Sequence, residues 1–304
     1  GNQSMEIGGI GSVATHPSYR GKGYMRELMD FCIEEMRERG YAFSILGGDR
    51  QRYNFWGFET TGMEVIFTFT PRSIEKSGGN KLAGIKNFSG EKDVLDKIIE
   101  SHETFPLRIK RNKKDYLALL LERTYTHSWY TEEGNNFAYT VIDGEFDNLT
   151  IIELGGNENL WVPIIYSLLK TYSLGRIEVV YPYYKDAGFL TLYYHAESFR
   201  IQPLGMIKIL FLRNTLLGLG EELKEKCKEG DSFTFEVKET GEKVSIEKKR
   251  GDFILSGEEK GEKIVLGETE WVRVIFGPFS PLVSPPQLQH IFPLKFYWWR
   301  LDHI

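Results

Sequence analysis

Cysteine is scarce, with two in 304 residues, Cys32 and Cys227, far apart in the chain. That excludes a disulfide framework, and the six histidines are scattered without metal-ligand spacing, so no zinc or other metal site is expected. No apolar run approaches the ~18 residues of a membrane span, and no secretory leader is legible. Membrane partners are therefore not expected, and a reducing cytoplasm is the expected setting. Positive charge is also short: 38 Lys and Arg stand against 43 Asp and Glu, a net charge of −5, which argues against a nucleic-acid partner. A Gly-x-Ser-x-Gly elbow, a P-loop ending in Gly-Lys-Ser/Thr and a Rossmann Gly-x-Gly-x-x-Gly are all missing. Hydrolase, NTPase and dinucleotide-binding readings lose their basis.

What is present begins at the N-terminal end. Ile10 to Thr15 reads as a β-like run that stops at Pro17 and includes Val13, Ala14 and Thr15. A basic, glycine-spaced turn follows, Arg20-Gly21-Lys22-Gly23-Tyr24-Met25-Arg26, and an amphipathic helix starts near Tyr24. Gly21 and Gly23 allow successive N–H groups to converge on an anion. The helix start adds unpaired N–H groups and the positive end of its dipole, and Arg20 and Lys22 add charge. Such a turn asks for a phosphorylated ligand. Leu28, Met29, Cys32 and Met36 recur at helical spacing, which places Cys32 on the apolar stripe. Tyr41 to Leu46 reads as a strand closed by Gly47-Gly48-Asp49. Tyr53-Asn54-Phe55-Trp56-Gly57-Phe58 and another strand, Met63 to Thr70, come next.

Arg20-x-x-Gly23-x-Met25 resembles the pyrophosphate-binding signature of the GCN5-related N-acetyltransferases (GNAT), with Met25 where that family usually has Gly or Ala. Tyr53-x-x-aromatic-Gly-aromatic also matches its pattern. The wording Val13-Ala14-Thr15-His16-Pro17, with Asp49 and Tyr53-x-x-Trp56-Gly57-Phe58, is similar to the enhanced-intracellular-survival (Eis) branch. The resemblance implies an α/β (α+β) chain: a mixed-sheet GNAT fold in tandem, followed by a sterol-carrier-protein-like domain. The expected segments are 1–75, the C-terminal half of an acetyl-CoA-binding GNAT domain; 76–200, a degenerate second copy; and 201–304, the carrier-like domain with its aromatic tail. A whole GNAT domain has further strands and helices before the acetyl-CoA-binding strand, so the first domain is expected to lack its N-terminal part.

Other elements are coarser. Residues 71 to 91 read as a linker, Glu91 to Ser101 and Asp115 to Tyr125 as helices, and Ala138 to Asp143 with Leu149 to Leu154 as a hairpin. Gly155-Gly156, a helix with Trp161, Ile164, Ile165, Leu168 and Leu169 on one face, and a strand from Arg176 to Tyr181 repeat the strand–turn–helix–strand order of the first domain. This second turn carries Glu158 where a pyrophosphate would lie, so it is expected not to bind acetyl-CoA. Asn214 to Lys228 reads as a helix, and Ser232 to Val237, Lys243 to Lys248 and Asp252 to Ser256 as a meander. The tail from Phe292 to Ile304 is rich in aromatics and must be buried.

The chemistry follows from the resemblance. Acetyl-CoA would be the co-substrate, held by Val13, Ala14 and Thr15, by Arg20 to Arg26, and by Gly48 and Asp49. Tyr53 would protonate the departing thiolate, a phenol being ordinarily protonated at neutral pH. The α-carboxylate of Ile304 would take the amine proton. A small polyamine, an aminoglycoside-like molecule or a lysine is the expected acceptor, and a homo-oligomer the expected assembly. His16, before Pro17, is expected to cap the turn or stand exposed rather than act as base. The competing reading is a non-catalytic assembly with a vestigial coenzyme A site and a C-terminal domain that binds a lipid or a partner.

Overall fold

The structure, a computed structural model, describes residues 4–124, 126–144, 149–184, 186–278 and 284–303. β1 (Gly8–Ile10), α1 (Tyr24–Glu38), β2 (Phe43–Leu46) and α2 (Arg50–Tyr53) come first, followed by the long strand β3 (Glu59–Phe69). Then α3 (Pro71–Lys76), β4 (Lys86–Asn87), α4 (Lys92–Glu103) and α5 (Lys113–Leu117) lead into β5 (Thr126–Glu133), β6 (Asn136–Asp143) and β7 (Thr150–Gly156). Next are α6 (Trp161–Thr171), β8 (Ile177–Pro182), α7 (Ala187–His195) and β9 (Ser198–Ile209). The remainder is α8 (Leu212–Gly218), α9 (Gly220–Lys226), β10 (Ser232–Val237), β11 (Lys243–Lys249), β12 (Asp252–Ser256), β13 (Glu262–Leu266) and α10 (Glu268–Phe276). Parallel and antiparallel pairs coexist, giving the mixed-sheet α/β class expected. No helix among the described residues is long and apolar enough to cross a membrane.

Two compact units divide the chain: residues up to Gly62 with Pro203–Phe296, and Met63–Gln202 with Tyr297–His303. The C-terminal segment thus shares a unit with the N-terminal one. In that first unit β1 runs parallel to β2, from Gly8↔Ser44 to Ile10↔Leu46, and β2 pairs antiparallel with β9. The ladder ends at Ile10, not at Thr15, because Ser12 adopts a left-handed φ of 52° and turns the chain out of the sheet. On α1 the buried positions are Met29, Ile33 and Met36, while Leu28 is 64% exposed. Of the expected stripe, Met29 and Met36 are therefore buried and the half-buried Cys32 packs against the same core, while Leu28 faces outward and Ile33 joins the stripe. Met29, Ile33, Met36, Tyr53 and Phe58 share a core with Met206 and Leu210 of the C-terminal segment.

A second sheet of the first unit has the order β12-β11-β10-β13, with β13 parallel to β10. Neither β13 nor α10 is legible in the sequence, because Glu262 and Lys263 mask a strand whose buried residue is Ile264. Phe235 packs against Trp271 and Phe292, with ring centroids 5.0 and 6.0 Å away. The buried carboxylate of Glu59 accepts from Arg50 and Arg273. Burial alone would raise its pKa, but those two guanidinium groups hold it at about 2.

In the second unit β3 pairs with β8, β8 runs parallel to β7, and β7, β6, β5 and β4 follow as antiparallel neighbours. Part of the expected linker is helix α3. Thr70 and Ser73 cap its start reciprocally, Pro71 fits its first turn, and Ile74 is fully buried. β5 also escapes the sequence reading, since Thr-His-Ser-Trp-Tyr-Thr-Glu-Glu lacks a clean apolar alternation, yet it pairs along all of β6. The helix expected from Asp115 to Tyr125 is the shorter α5 and a wider turn, Ala118–Glu122, which leaves Leu121 41% exposed. The tip expected for the β6–β7 hairpin, residues 145–148, lies outside the described residues.

The second strand–turn–helix–strand repeat is β7, α6 and β8, and its turn is filled. A Cβ on Gly155 would lie 2.3 Å from the Tyr139 ring, and one on Gly156, at φ 84°, 2.3 Å from the Phe137 carbonyl oxygen. In the first repeat Gly21 (φ 75°) and Gly23 (φ 84°) face open space. Gly156→Ala is therefore expected to destabilise by about 3 kcal/mol, overpacking added to left-handed strain, and Gly21→Ala by only about 1 kcal/mol. Urea unfolding of both variants checks this; equal costs would mean that the second turn is as open as the first.

The aromatic tail is buried, as its composition demands. Trp299 stacks on Phe105 at 4.5 Å, and Leu301 enters a core formed with Phe88, Leu95, Tyr116 and Ile152. Arg123 donates to the Leu301 carbonyl at 2.7 Å. These contacts place Tyr297–His303 in the second unit.

Candidate active site

The basic turn projects between β1 and α1. His16 caps a single 3-10 turn (Pro17–Tyr19) by accepting the Ser18 N–H at 3.3 Å, as its place before Pro17 suggests. Residues 16 to 24 are all exposed. Arg20 Nε donates to the Thr15 carbonyl at 3.3 Å, bracing the end of the segment that leaves the sheet. Gly23 is the residue before α1 and no side chain caps it. The first N–H groups to be used inside the helix are those of Arg26 and Glu27, both to the Gly23 carbonyl. The N–H groups ahead of them are available to an anion. Only glycine takes the left-handed φ at 21 and 23 without strain.

Around this turn stand three cations. Lys22 Nζ lies 5.2 Å from the Tyr19 ring centre and the Arg26 guanidinium 4.9 Å from that of Phe55. Tyr24 is 6.4 Å from Tyr19. Phe55 is 66% exposed, and as an x position of Tyr53-x-x-Trp56 it carries no signal of its own in the sequence. Trp56 Nε1 donates to Asp30 at 2.7 Å, which ties the 53–58 segment to α1.

The other expected residues fall into two groups. Val13 and Met25 pack on the same core as Tyr53, so the segment leaving β1, the start of α1 and α2 converge there. Gly48 and Asp49 form the entry to α2. Asp49 caps it by accepting the Gln51 N–H at 2.9 Å, and a Cβ on Gly48 would come within 3.0 Å of the Tyr53 ring. Asp49 thus has a structural task. Tyr53 is buried at 4% exposure, with no hydrogen-bond partner for its hydroxyl among the described residues. Ile304 lies outside the described residues. His303 is half-buried, and burial pushes its pKa down to about 4.

The second unit holds a polar cluster with no sequence signal, because its members are drawn from distant segments. Arg111 donates through both terminal nitrogens to Glu153, at 3.1 and 2.6 Å, and through Nε and Nη2 to Asp302, at 2.7 Å each. Tyr139 also donates to Glu153, at 2.9 Å, and His102 Nδ1 is 2.8 Å from the Tyr116 hydroxyl. His102, Glu153 and Asp302 are close enough to share a cation, but the guanidinium already occupies both carboxylates. Burial pushes Asp302 up to about 6 in spite of Arg111, and lowers His102 to about 4. For Glu153 burial opposes ionisation, and Arg111 overcomes it, leaving the carboxyl below its usual range.

Residues 1–60 match the family described as "Acetyltransferase (GNAT) domain". No curated protein matches the sequence. Among solved structures, the chain is similar to a GCN5-related N-acetyltransferase from Kribbella flavida at 16% identity and TM-score 0.65, over 98% of this chain and 80% of that one. It is similar to another from Anabaena variabilis ATCC 29413 at 17% identity and TM-score 0.63, over 97% and 82%. Eis1 from Mycobacterium abscessus aligns at 9% identity and TM-score 0.55, over 89% and 72%. At these identities the likeness is one of fold: the chain has a mixed-sheet, GNAT-like α/β architecture.

Proposed function

We propose that this chain is an acetyl-CoA-dependent N-acetyltransferase that acts on a primary amine of a small polyamine, an aminoglycoside-like molecule or a lysine. The observation that carries the reading is the exposed turn Arg20 to Arg26, with Gly21 and Gly23 open and the first N–H groups of α1 uncapped. The GNAT match over residues 1–60 supports it. In this reading the pyrophosphate lies on the turn, and Val13, Ala14 and Thr15 offer backbone groups to the acyl-carrying arm because Ser12 has taken them out of the sheet. An N–H there would polarise the thioester carbonyl. The amine lone pair attacks that carbon, the C–S bond breaks, and the thiolate takes the Tyr53 hydroxyl proton. The ammonium proton passes to a base, for which the resemblance offers the α-carboxylate of Ile304. Eis-like organisation is part of the proposal, and the fold likeness to Eis1 supports it. In the carrier-like segment Phe235, Trp271 and Phe292 fill the space beneath the second sheet, which favours a packing role.

Calorimetric titration with acetyl-CoA tests the reading. Binding is expected, and it should weaken ~100-fold or more in the double variant Arg20→Ala, Lys22→Ala, because two charge-assisted contacts are lost. No heat from the native chain would overturn the proposal. The second reading, a non-catalytic assembly with a vestigial coenzyme A site, draws on the burial of Tyr53 among apolar side chains. Tyr53→Phe separates the two where turnover is seen: a general acid predicts a fall in kcat of about 100-fold or more with binding unchanged, and an unaltered rate removes Tyr53 from the chemistry.

A further inference from the structure

Beside the filled turn of the second repeat, at the start of α6, lies a recess where the sign of the charge is reversed. A cleft of about 530 Å³ lies among the start of α6, helix α7 and the loop after α3, all in the second unit. Its volume is that of small-ligand sites. Pro163, Leu190 and the ring of Tyr194 give it apolar walls, and the last two are 58% and 70% exposed. Where the first repeat has Arg20 and Lys22, this one has Glu158, half-buried and without a hydrogen-bond or ion-pair partner among the described residues. The cation at the rim, Lys81, is paired with Glu133.

His195 supplies a second acceptor. The Ser77 hydroxyl lies 2.8 Å from the Ser73 carbonyl and 3.1 Å from that of Ile74, so its proton points to them. Its oxygen then accepts from His195 Nδ1 at 2.7 Å, which leaves Nε2 with a free lone pair. Burial lowers the pKa of this imidazole, which favours the neutral ring. Gly79 makes room for it, since a Cβ there would sit 2.9 Å from Nδ1.

We propose that this cleft binds a primary ammonium group carried on a short apolar body, with Glu158 and His195 Nε2 as acceptors and the Tyr194 ring as a flat wall. The ammonium group has three donors to share between them, and an aromatic face attracts a cation. The site is independent of the acetyl-CoA turn and of any turnover.

The test is a titration of the full chain with n-butylammonium chloride, and with n-butanol as its uncharged counterpart, following the His195 ring protons by NMR. Saturable shifts are expected with the amine, at an affinity roughly tenfold above that for the alcohol. Glu158→Gln should remove that tenfold advantage and Tyr194→Ala should reduce it, with the unfolding midpoint of each variant measured beside it. Equal binding of alcohol and amine, an unchanged affinity in a folded Glu158→Gln, or no saturation at the His195 signal would each overturn the proposal.

Discussion

Arg111→Ala is expected to cost the protein about 3–5 kcal/mol and to lower its melting temperature by on the order of 10 °C. Arg111 is the counter-charge of two buried carboxylates at once, with side-chain exposures of 2% for Arg111, 0% for Glu153 and 4% for Asp302. Alanine leaves both without a partner. Glu153 retains only the Tyr139 hydroxyl, and the carboxylates then face each other in an interior that cannot solvate them. The tail loses one ion-pair anchor in the same event, because Asp302 is one of the two, and keeps the Arg300–Glu64 pair. Simultaneous replacement of Arg111, Glu153 and Asp302 by apolar residues of similar volume should be far less damaging, since the desolvation cost disappears with the charges. Urea unfolding followed by fluorescence measures both. A loss below about 1 kcal/mol in Arg111→Ala, the value of an exposed pair, would show that water reaches the cluster.

Acid should destabilise the fold between about pH 6.5 and pH 4, and the buried histidines set the sign. In the unfolded chain a histidine takes up its proton near pH 6.5. Folded, burial holds His102 and His303 neutral down to about 4. Across that window the native state binds fewer protons, so stability falls as pH falls. Asp302 acts in the opposite sense. Its folded carboxyl keeps a proton up to about 6, so its contribution is fully present below the unfolded pKa and is lost as pH rises through 6. Two histidines outweigh one aspartate. The swing contributed by His102 is of order 3 kcal/mol across the window. His102→Phe should therefore cut the number of protons taken up on unfolding near pH 5 by about one, and Asp302→Asn should steepen the acid loss. Midpoints of urea unfolding measured from pH 4 to 7 read both slopes, and a pH-independent midpoint would contradict the burial of the two rings. At lower pH the Arg50–Glu59–Arg273 group adds a further loss. Glu59 contributes stability that is present above the unfolded carboxylate range and is lost as pH falls towards about 2.

The sequence carried the local features well and the distant ones poorly, for identifiable reasons. The turn at Arg20 to Arg26 was legible because backbone freedom, charge and the helix start lie within a few residues of each other. The α6 core residues Trp161, Ile164, Ile165, Leu168 and Leu169 were legible as well, but Val162, Pro163, Tyr166 and Ser167 are buried too, so the helix is covered all round and not on one face. The run past Ile10 reads as strand because Val13 and Thr15 have β propensity, while the left-handed φ of Ser12 carries no sequence signal, serine being no glycine. Strand β5 was hidden because sheet pairing with β6 overrides its mixed composition. The Arg111 cluster left no trace, since Arg111, Glu153 and Asp302 meet only after folding. For the candidate site, spacing identified which residues converge, but not that Asp49 caps α2 or that Tyr53 is packed among Met29, Ile33 and Phe58.

The way the chain returns to each unit has a consequence during synthesis. Residues up to Gly62 need Pro203–Phe296 to complete their unit, and Met63–Gln202 need Tyr297–His303. A ribosome delivers these pieces in order, so neither unit can close when its first part emerges. The nascent chain must carry Phe88, Leu95 and Tyr116 without the Leu301 that completes their core. Both units therefore finish late, and the apolar surface of a stalled or truncated chain is left for chaperones to hold.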